Sequence, residues 1–322
     1  MNDSVVPSLV AAACEAGMNA LGVLSGEFEV DTKDDNSPVT RADFEADRII
    51  RSRLRALSEL PIVSEEHPLP PPEERTSWSS YFLVDPLDGT RGFIERGDEF
   101  GVSIALMDRE VPTLGVIALP IQEAVYIGGP ELASVRLSGS MAEIARAPEN
   151  ALEAGELLPR PTDRMPPAPP HKSNIGDRAE SSPDSSSDLT LHVVASRHNL
   201  NAETRAWIEA LRRHSVTVEL VQAGSAAKFT MIAEGIADVY PRMAPCMEWD
   251  TAAGVAIVHG AGGRVVAASG AGADKTMEVG NAGISATGGA GRAETIRFGD
   301  RGWRSSYFVA WSAHAISRGW TD

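Results

Sequence analysis

The chain has 322 residues, 43% hydrophobic and 23% charged, ordinary proportions for a globular protein with a substantial buried core. Its 29 lysines and arginines against 45 aspartates and glutamates give a formal charge of −16, which argues against wholesale binding to nucleic-acid polymers or anionic membranes, since both need a cationic surplus. A small phosphorylated ligand stays open, because a few local cations or metal ions can invert the potential of one cleft.

Leu9, Ala13, Ala16, Ala20 and Leu24 recur at helical spacing and predict an amphipathic helix over 5–25. The acidic stretch Glu27 to Asp35 reads as a solvated loop. A second helix is predicted from near Thr40, with Ala46, Ile50, Leu54 and Leu57 on one face, stopping before Pro61. Ile62-Val63-Ser64 is a short strand running into Glu65-Glu66, and Pro68, Pro70, Pro71 and Pro72 force a loop. Tyr81 to Val84 is a buried strand; Phe100 to Met107, Leu114 to Leu119 and Ala124 to Ile127 extend an antiparallel set. Residues 159–188 hold seven prolines and six serines, with only Met165 and Ile175 as sizeable aliphatics. Such a segment buries too little surface to offset its ordering entropy and reads as a disordered insertion. Strand Leu191 to Ala195, helix 202–213, strand 216–221, helix 225–235, strand 237–240 and helix 250–259 then alternate as in a layered α/β unit. The Gly/Ala-rich stretch 260–293 reads as loop, and Tyr307 to Trp311 as a closing strand.

Cys14 and Cys246 cannot staple a chain of this size, and no Cys/His cluster suggests zinc or iron–sulfur. Met-Asn-Asp-Ser at the start lacks a basic n-region and a long apolar h-region. No run is read as approaching the ~20 apolar residues that cross a bilayer. The expectation is a reducing, cytoplasmic setting without a transmembrane segment, with peripheral inner-membrane association left open.

The most informative segment is Val84-Asp85-Pro86-Leu87-Asp88-Gly89-Thr90. A buried strand ends in a carboxylate, turns through proline and presents a second carboxylate three residues on. Such a reversal can aim Asp85, the Leu87 carbonyl and Asp88 at one spot, the oxygen set that hard divalent cations want. Gly89 and Thr90 add backbone N–H groups at an expected helix start, a seat for phosphate. Asp-x-x-Asp-Gly is equally a common turn composition. Other acids have plain readings as well: Glu65 and Glu66 as a solvated pair, Asp250 as a complement to the dipole of the apolar helix after it, and Asp43 as the partner of Thr40 in a capping box. Together those separate readings weaken.

These residues carry a resemblance. Asn36-Ser37-Pro38-Val39-Thr40-x-Ala42-Asp43, Ser64-Glu65-Glu66 and Asp85-Pro86-Leu87-Asp88-Gly89-Thr90 are similar to motifs of the lithium-sensitive, magnesium-dependent inositol monophosphatase superfamily. So are Gly92-Phe93, Gly97-x-Glu99-Phe100, Gly224-Ser225-x-x-Lys228-Phe229, Ala233-Glu234-Gly235, Tyr240-Pro241-Arg242 and Trp249-Asp250-Thr251-Ala252-Ala253-Gly254. Within the superfamily the chain most resembles bacterial 3′(2′),5′-bisphosphate nucleotidases of the CysQ type, over about 1–130 and 190–266 and the last strand. It departs at Gly224-Ser225-Ala226, where relatives have Gly-Ser-Ser, in insertions at 140–190 and 267–295, and in a C-terminal Ser-Ser-Tyr-Phe-Val-Ala.

The resemblance implies a five-layered αβαβα sandwich: an α+β metal-binding half over 1–140, an insertion over 141–190, and an α/β half over 191–322 that completes the site. It implies two or three Mg²⁺ ions held by Glu65, Asp85, the Leu87 carbonyl, Asp88 and Asp250. Thr90 with Glu65 or Asp43 would orient the attacking water. Asp88, Gly89, Thr90, His198, Ser225, Lys228, Arg242 and Asp250 would contact the substrate. The implied activity is hydrolysis of adenosine 3′,5′-bisphosphate to AMP and phosphate, linked to sulfate assimilation, in a monomer or homodimer. The Lys228 and Arg242 motifs favour this over inositol 1-phosphate or fructose 1,6-bisphosphate as substrate, and the complete set of acids argues against a non-catalytic phosphate-binding regulator. Aspartyl catalysis of the haloacid-dehalogenase kind is excluded, since its nucleophile position holds Pro86.

Overall fold

Helices α1 (Val5–Leu24) and α2 (Arg41–Leu57) form one outer layer. The computed structural model describes residues 4–33, 37–95, 99–159, 190–197, 200–213, 217–268, 278–280, 283–285, 296, 298, 299 and 302–318. The acidic stretch before α2 is not all loop: β1 (Val30–Thr32) pairs antiparallel with β2 (Pro38–Thr40). Thr40 then caps α2, its hydroxyl accepting from the Ala42 amide (3.2 Å) while Asp43 accepts from the Thr40 amide (2.8 Å).

Next come β3 (Ile62–Ser64), the short α3 (Pro72–Arg75) inside the proline-rich loop, β4 (Ser80–Asp88) and α4 (Thr90–Ile94). The strands β5 (Gly101–Asp108), β6 (Val111–Leu119), β7 (Ala124–Gly129) and β8 (Leu132–Ser138) follow. Residues 141–157, expected to open the insertion, instead carry α5 (Met141–Arg146), α6 (Pro148–Glu153) and β9 (Glu156–Leu157). The signal for α5 is the capping box of Ser140 and Glu143. Residues 160–189, the proline- and serine-rich core of that expectation, lie outside the described residues. Strands β3 to β9 form a seven-stranded sheet in sequence order, parallel between β3 and β4 and antiparallel elsewhere.

The second half supplies β10 (Thr190–Ser196), α7 (Ala202–Arg213), β11 (Thr217–Ala223), α8 (Ala227–Glu234), β12 (Val239–Arg242), β13 (Cys246–Met247) and α9 (Ala252–Gly260). Within the expected Gly/Ala loop lie β14 (Arg264–Ala267), β15 (Glu278–Gly280) and β16 (Gly283–Ser285). The chain continues through β17 (Arg304–Ser305), β18 (Phe308–Trp311) and α10 (Ala313–Ser317). A five-stranded sheet runs β11-β10-β12-β18-β14.

Period-two alternation sorts the strands between layers. On β4, Phe82 and Val84 pack with Leu9, Val10 and Ile50 of the outer helices, while Tyr81 and Leu83 share a core with Phe229, Ile232 and Ile257 of α8 and α9. On β18, Phe308 and Ala310 join that same middle core, and Val309 and Trp311 pack with Trp207 of α7 and Ala315 of α10. The order is thus helices, sheet, helices, sheet, helices, the five layers expected. Ala252 to Val258 of α9 are buried on every side, as a helix between two sheets must be. One expectation needs correction: α1, at 20 residues, is long and apolar enough to cross a membrane by length and composition. Half of it is buried inside the protein, against α2 and the seven-stranded sheet.

Candidate active site

Asp85 continues the face of β4 that carries Tyr81 and Leu83, so it enters the middle layer. Pro86 has no N–H to give the ladder. Asp85 lies opposite Ser103 on β5, and pairing resumes only at Asp88 opposite Gly101. The resulting bulge leaves the Leu87 amide to donate to Asp85 Oδ1 (3.1 Å), while the Leu87 side chain packs with Phe93 and Phe100. Gly89 has φ +94°, and a Cβ there would stand 2.7 Å from the Glu99 carbonyl oxygen and 3.1 Å from Ser225 Cβ, so only glycine fits this turn. Thr90 follows, its hydroxyl 3.1 Å from Asp43 Oδ1 and 3.3 Å from the Leu87 carbonyl oxygen, both acceptors.

Glu65 is set beside Asp85 because its amide donates to the Val84 carbonyl (3.1 Å), one step beyond β3. Asp250 sits in a turn at the entrance to α9, accepting from the Met247 amide (2.9 Å). Ligand oxygens of Glu65, Asp85 and Asp250 all lie within 4.8 Å of one another. Asp88 adds a fourth acid beside this trio, and its carboxylate also accepts from the Ala226 amide and faces Lys228. Burial first, then the charges of Glu65, Asp88 and Asp250, hold the Asp85 carboxyl well above its usual range. Burial, then Asp88 and Glu65, pushes Asp250 up to about 7. Acids crowded in this way, Asp85 buried and Glu65 and Asp250 half-buried, all with oxygen donors, are what a hard divalent cation would relieve, and the residues fit magnesium on that ground.

The trio lines a cavity of about 330 Å³ together with Asp88, Lys228 and Arg242. Ser225, with φ +45°, Gly89 and Thr90 also line it. Lys228 is 4% exposed; its ammonium donates to the Ser225 carbonyl and lies 5.6 Å from the Tyr240 ring centre. Burial, opposed by Asp88, brings it down to about 8. Arg242 ends β12, and its Nη atoms reach the Tyr240 hydroxyl and the Pro245 carbonyl at 3.4 Å each. Its Nε is buried without a hydrogen-bond partner. Asp43 fills the capping-box reading at the start of α2 and also accepts from the Thr90 hydroxyl. His198, and Asn36 and Gly97 of the quoted motifs, lie outside the described residues.

Three side chains here were given no role by sequence reasoning, although two of them, Glu99 and Trp249, stand in the quoted motifs. Lys33, between β1 and β2, donates to Glu65 Oε1 (2.8 Å) and to Glu66; inside an acidic run it carries no local signal. The Trp249 indole donates to Glu65 Oε2 (3.2 Å), and its place beside Asp250 was the available hint. Glu99, on the cavity wall, pairs with Arg197 (2.7 Å) and so ties the two halves together.

Known proteins agree with this architecture. The profile of the inositol monophosphatase family matches residues 1–297. The 3′(2′),5′-bisphosphate nucleotidase CysQ of Escherichia coli K12 is 36% identical over 256 residues, 79% of this chain and 86% of that protein. The crystal structure of CysQ from Bacteroides thetaiotaomicron, a bacterial member of the inositol monophosphatase family, superposes with a TM-score of 0.70 at 30% identity, covering 97% of this chain and 98% of that one. The Thermotoga maritima IMPase shares the fold, with a TM-score of 0.57 at 17% identity over 96% of this chain and 91% of that one. The chain belongs to the inositol monophosphatase family.

Proposed function

We propose that the protein is a metal-dependent phosphatase that hydrolyses the 3′-phosphate of adenosine 3′,5′-bisphosphate, giving AMP and phosphate by direct attack of water. The carrying observation is one cavity that has the Glu65, Asp85 and Asp250 trio together with two cations, the buried Lys228 and the half-buried Arg242. The nucleotidase name of relatives 36% identical supports the same substrate class.

Glu65, Asp85, Asp88, Asp250 and the Leu87 carbonyl would hold two or three Mg²⁺ ions, which when bound neutralise phosphate charge and lower the pKa of water. The Thr90 hydroxyl donates to Asp43 Oδ1, leaving a lone pair free to accept from the attacking water and aim it. Asp43 is kept in place for this by the Thr40 amide and hydroxyl (2.8 and 2.7 Å). Glu65 offers a second acceptor to that water. Lys228 and Arg242 attract the phosphate that does not react, and binding energy from such a remote group raises discrimination. Ser225, Gly89, His198 and Asp250 complete the assigned contacts.

The test is Mg²⁺-dependent phosphate release from adenosine 3′,5′-bisphosphate, inositol 1-phosphate and fructose 1,6-bisphosphate. The nucleotide should be preferred. Preference for inositol 1-phosphate or the sugar would overturn the substrate, and no release from any of them would overturn the phosphatase.

A further inference from the structure

Glu248 immediately precedes the two residues that bring the second half to the acidic cluster. It is 0% exposed. Its Oε2 accepts from Arg75 Nη2 (2.6 Å), and its Oε1 from the Gly299 amide (2.7 Å). Its own amide donates to the Trp303 carbonyl (2.9 Å), and its carbonyl accepts from the amides of Thr251 (3.2 Å) and Ala252 (2.9 Å). Side chain and backbone are therefore both pinned. Arg75 comes from α3 in the first half, 173 residues away in sequence. Its guanidinium lies 4.2 Å from the Trp303 ring centre and 5.1 Å from that of Tyr81, and it donates to the Tyr81 hydroxyl.

A buried ion pair is a poor device for stability, because desolvating both partners offsets their attraction. This one also leaves Arg75 Nη1 buried without a hydrogen-bond partner. What the pair does fix is a place. The turn that follows sends the Trp249 indole to Glu65 (3.2 Å) and the Asp250 carboxylate into the trio. We infer that Arg75 and Glu248 are positioning residues: a clasp from α3 to the β13–α9 turn that sets Asp250 and Trp249 against Glu65 and so tunes the affinity of the metal centre. This rests on the metal-centre reading above.

The test is Mn²⁺ binding to the full-length protein, followed by the electron paramagnetic resonance signal of the free ion, beside urea unfolding. R75M/E248M removes one charge of each sign, so the net charge near Asp250 is unchanged. Replacing a buried pair by apolar side chains of similar volume is often neutral for stability, so its unfolding midpoint should stay near wild type. Its Mn²⁺ affinity should fall roughly tenfold or more, the usual scale for groups that orient metal ligands. R75M/E248Q, equally neutral, keeps an oxygen for the Gly299 amide and should fall less; it decides the matter if the first variant does not fold. Folded variants that bind Mn²⁺ within about twofold of wild type overturn the clasp alone, given that tenfold scale. Wild-type protein that binds no Mn²⁺ overturns the metal-centre reading and the clasp with it.

Discussion

Thr90→Val is the most direct test of the water-orienting pair. Valine has nearly the shape of threonine, so the change removes one hydroxyl and little else. Two things go: the hydrogen bond to Asp43 (3.1 Å), and the lone pair that would receive the attacking water. Asp43 keeps the Thr40 amide at 2.8 Å and the Thr40 hydroxyl at 2.7 Å, so the cap of α2 survives and stability should drop by no more than one hydrogen bond to a charged group contributes, about 1.5–3 kcal/mol. A hydrogen bond to a charged group contributes about 1.5–3 kcal/mol, and at about 1.4 kcal/mol per decade kcat should fall roughly tenfold to hundredfold. KM for adenosine 3′,5′-bisphosphate should move little, because the lost contacts involve neither the leaving nucleotide nor its second phosphate. Thr90→Ser should restore most of the rate. Steady-state phosphate release and urea unfolding, measured on the same preparations, separate these effects. A valine variant with more than half the wild-type kcat, or with its loss confined to KM, would refute the role given to Thr90.

Arg242→Ala should lower kcat/KM for adenosine 3′,5′-bisphosphate about tenfold to hundredfold, the scale of a charge-assisted contact of about 1.5–3 kcal/mol, while inositol 1-phosphate loses far less; equal losses would assign Arg242 to the reacting phosphate or to structure. Gly115→Ala should destabilise by about 1–3 kcal/mol, since its Cβ would stand 2.2 Å from the Ala253 carbonyl oxygen and push α9 off β6; an unmoved urea midpoint would contradict that packing. His192 has its pKa raised chiefly by its hydrogen bond to Asp238, at 3.1 Å, so it binds its proton more tightly folded than unfolded. Its contribution is complete below the unfolded value of about 6.5 and is lost as pH rises through the higher folded value. The stability gap between wild type and His192→Gln should therefore be wider at about pH 5.5 than at about pH 8.5, on either side of that titration; a gap independent of pH refutes it.

Local chemistry was the legible part. The alternation Tyr81-Phe82-Leu83-Val84 predicts a strand buried on both faces, and both faces are buried. Asp85, Leu87, Gly89 and Thr90 sit within six residues, so one proline and one glycine fix much of their geometry, and the turn reading and the site reading describe the same atoms. Asp88 shows the limit. The same turn that carries it beside Asp85 in sequence directs its carboxylate toward Ala226 and Lys228, and only the partner half decides that. Lys33 and the Arg75–Glu248 pair were illegible because the partners lie 32 and 173 residues apart, with nothing periodic to announce them. The two helices over 141–153 were missed for another reason. The proline- and serine-rich composition begins only at Pro159, and the residues before it carry their own capping signal in Ser140 and Glu143.

The placement of the cavity follows from the layer order. The carboxylates arrive on strand ends of the seven-stranded sheet and on the turn into α9, while Lys228 and Arg242 arrive on α8 and on β12 of the five-stranded sheet. Helices α8 and α9 belong to the cores of both sheets at once, so neither sheet can shift without moving acids against cations. That coupling lets a few long-range contacts, Glu99 with Arg197 (2.7 Å), Trp249 with Glu65 (3.2 Å) and Arg75 with Glu248 (2.6 Å), hold the two walls in register. An acidic chain can therefore present one locally cationic wall: the buried Lys228 and the half-buried Arg242 face the cavity, and the excess negative charge beside them is concentrated where oxygen donors for a cation are needed.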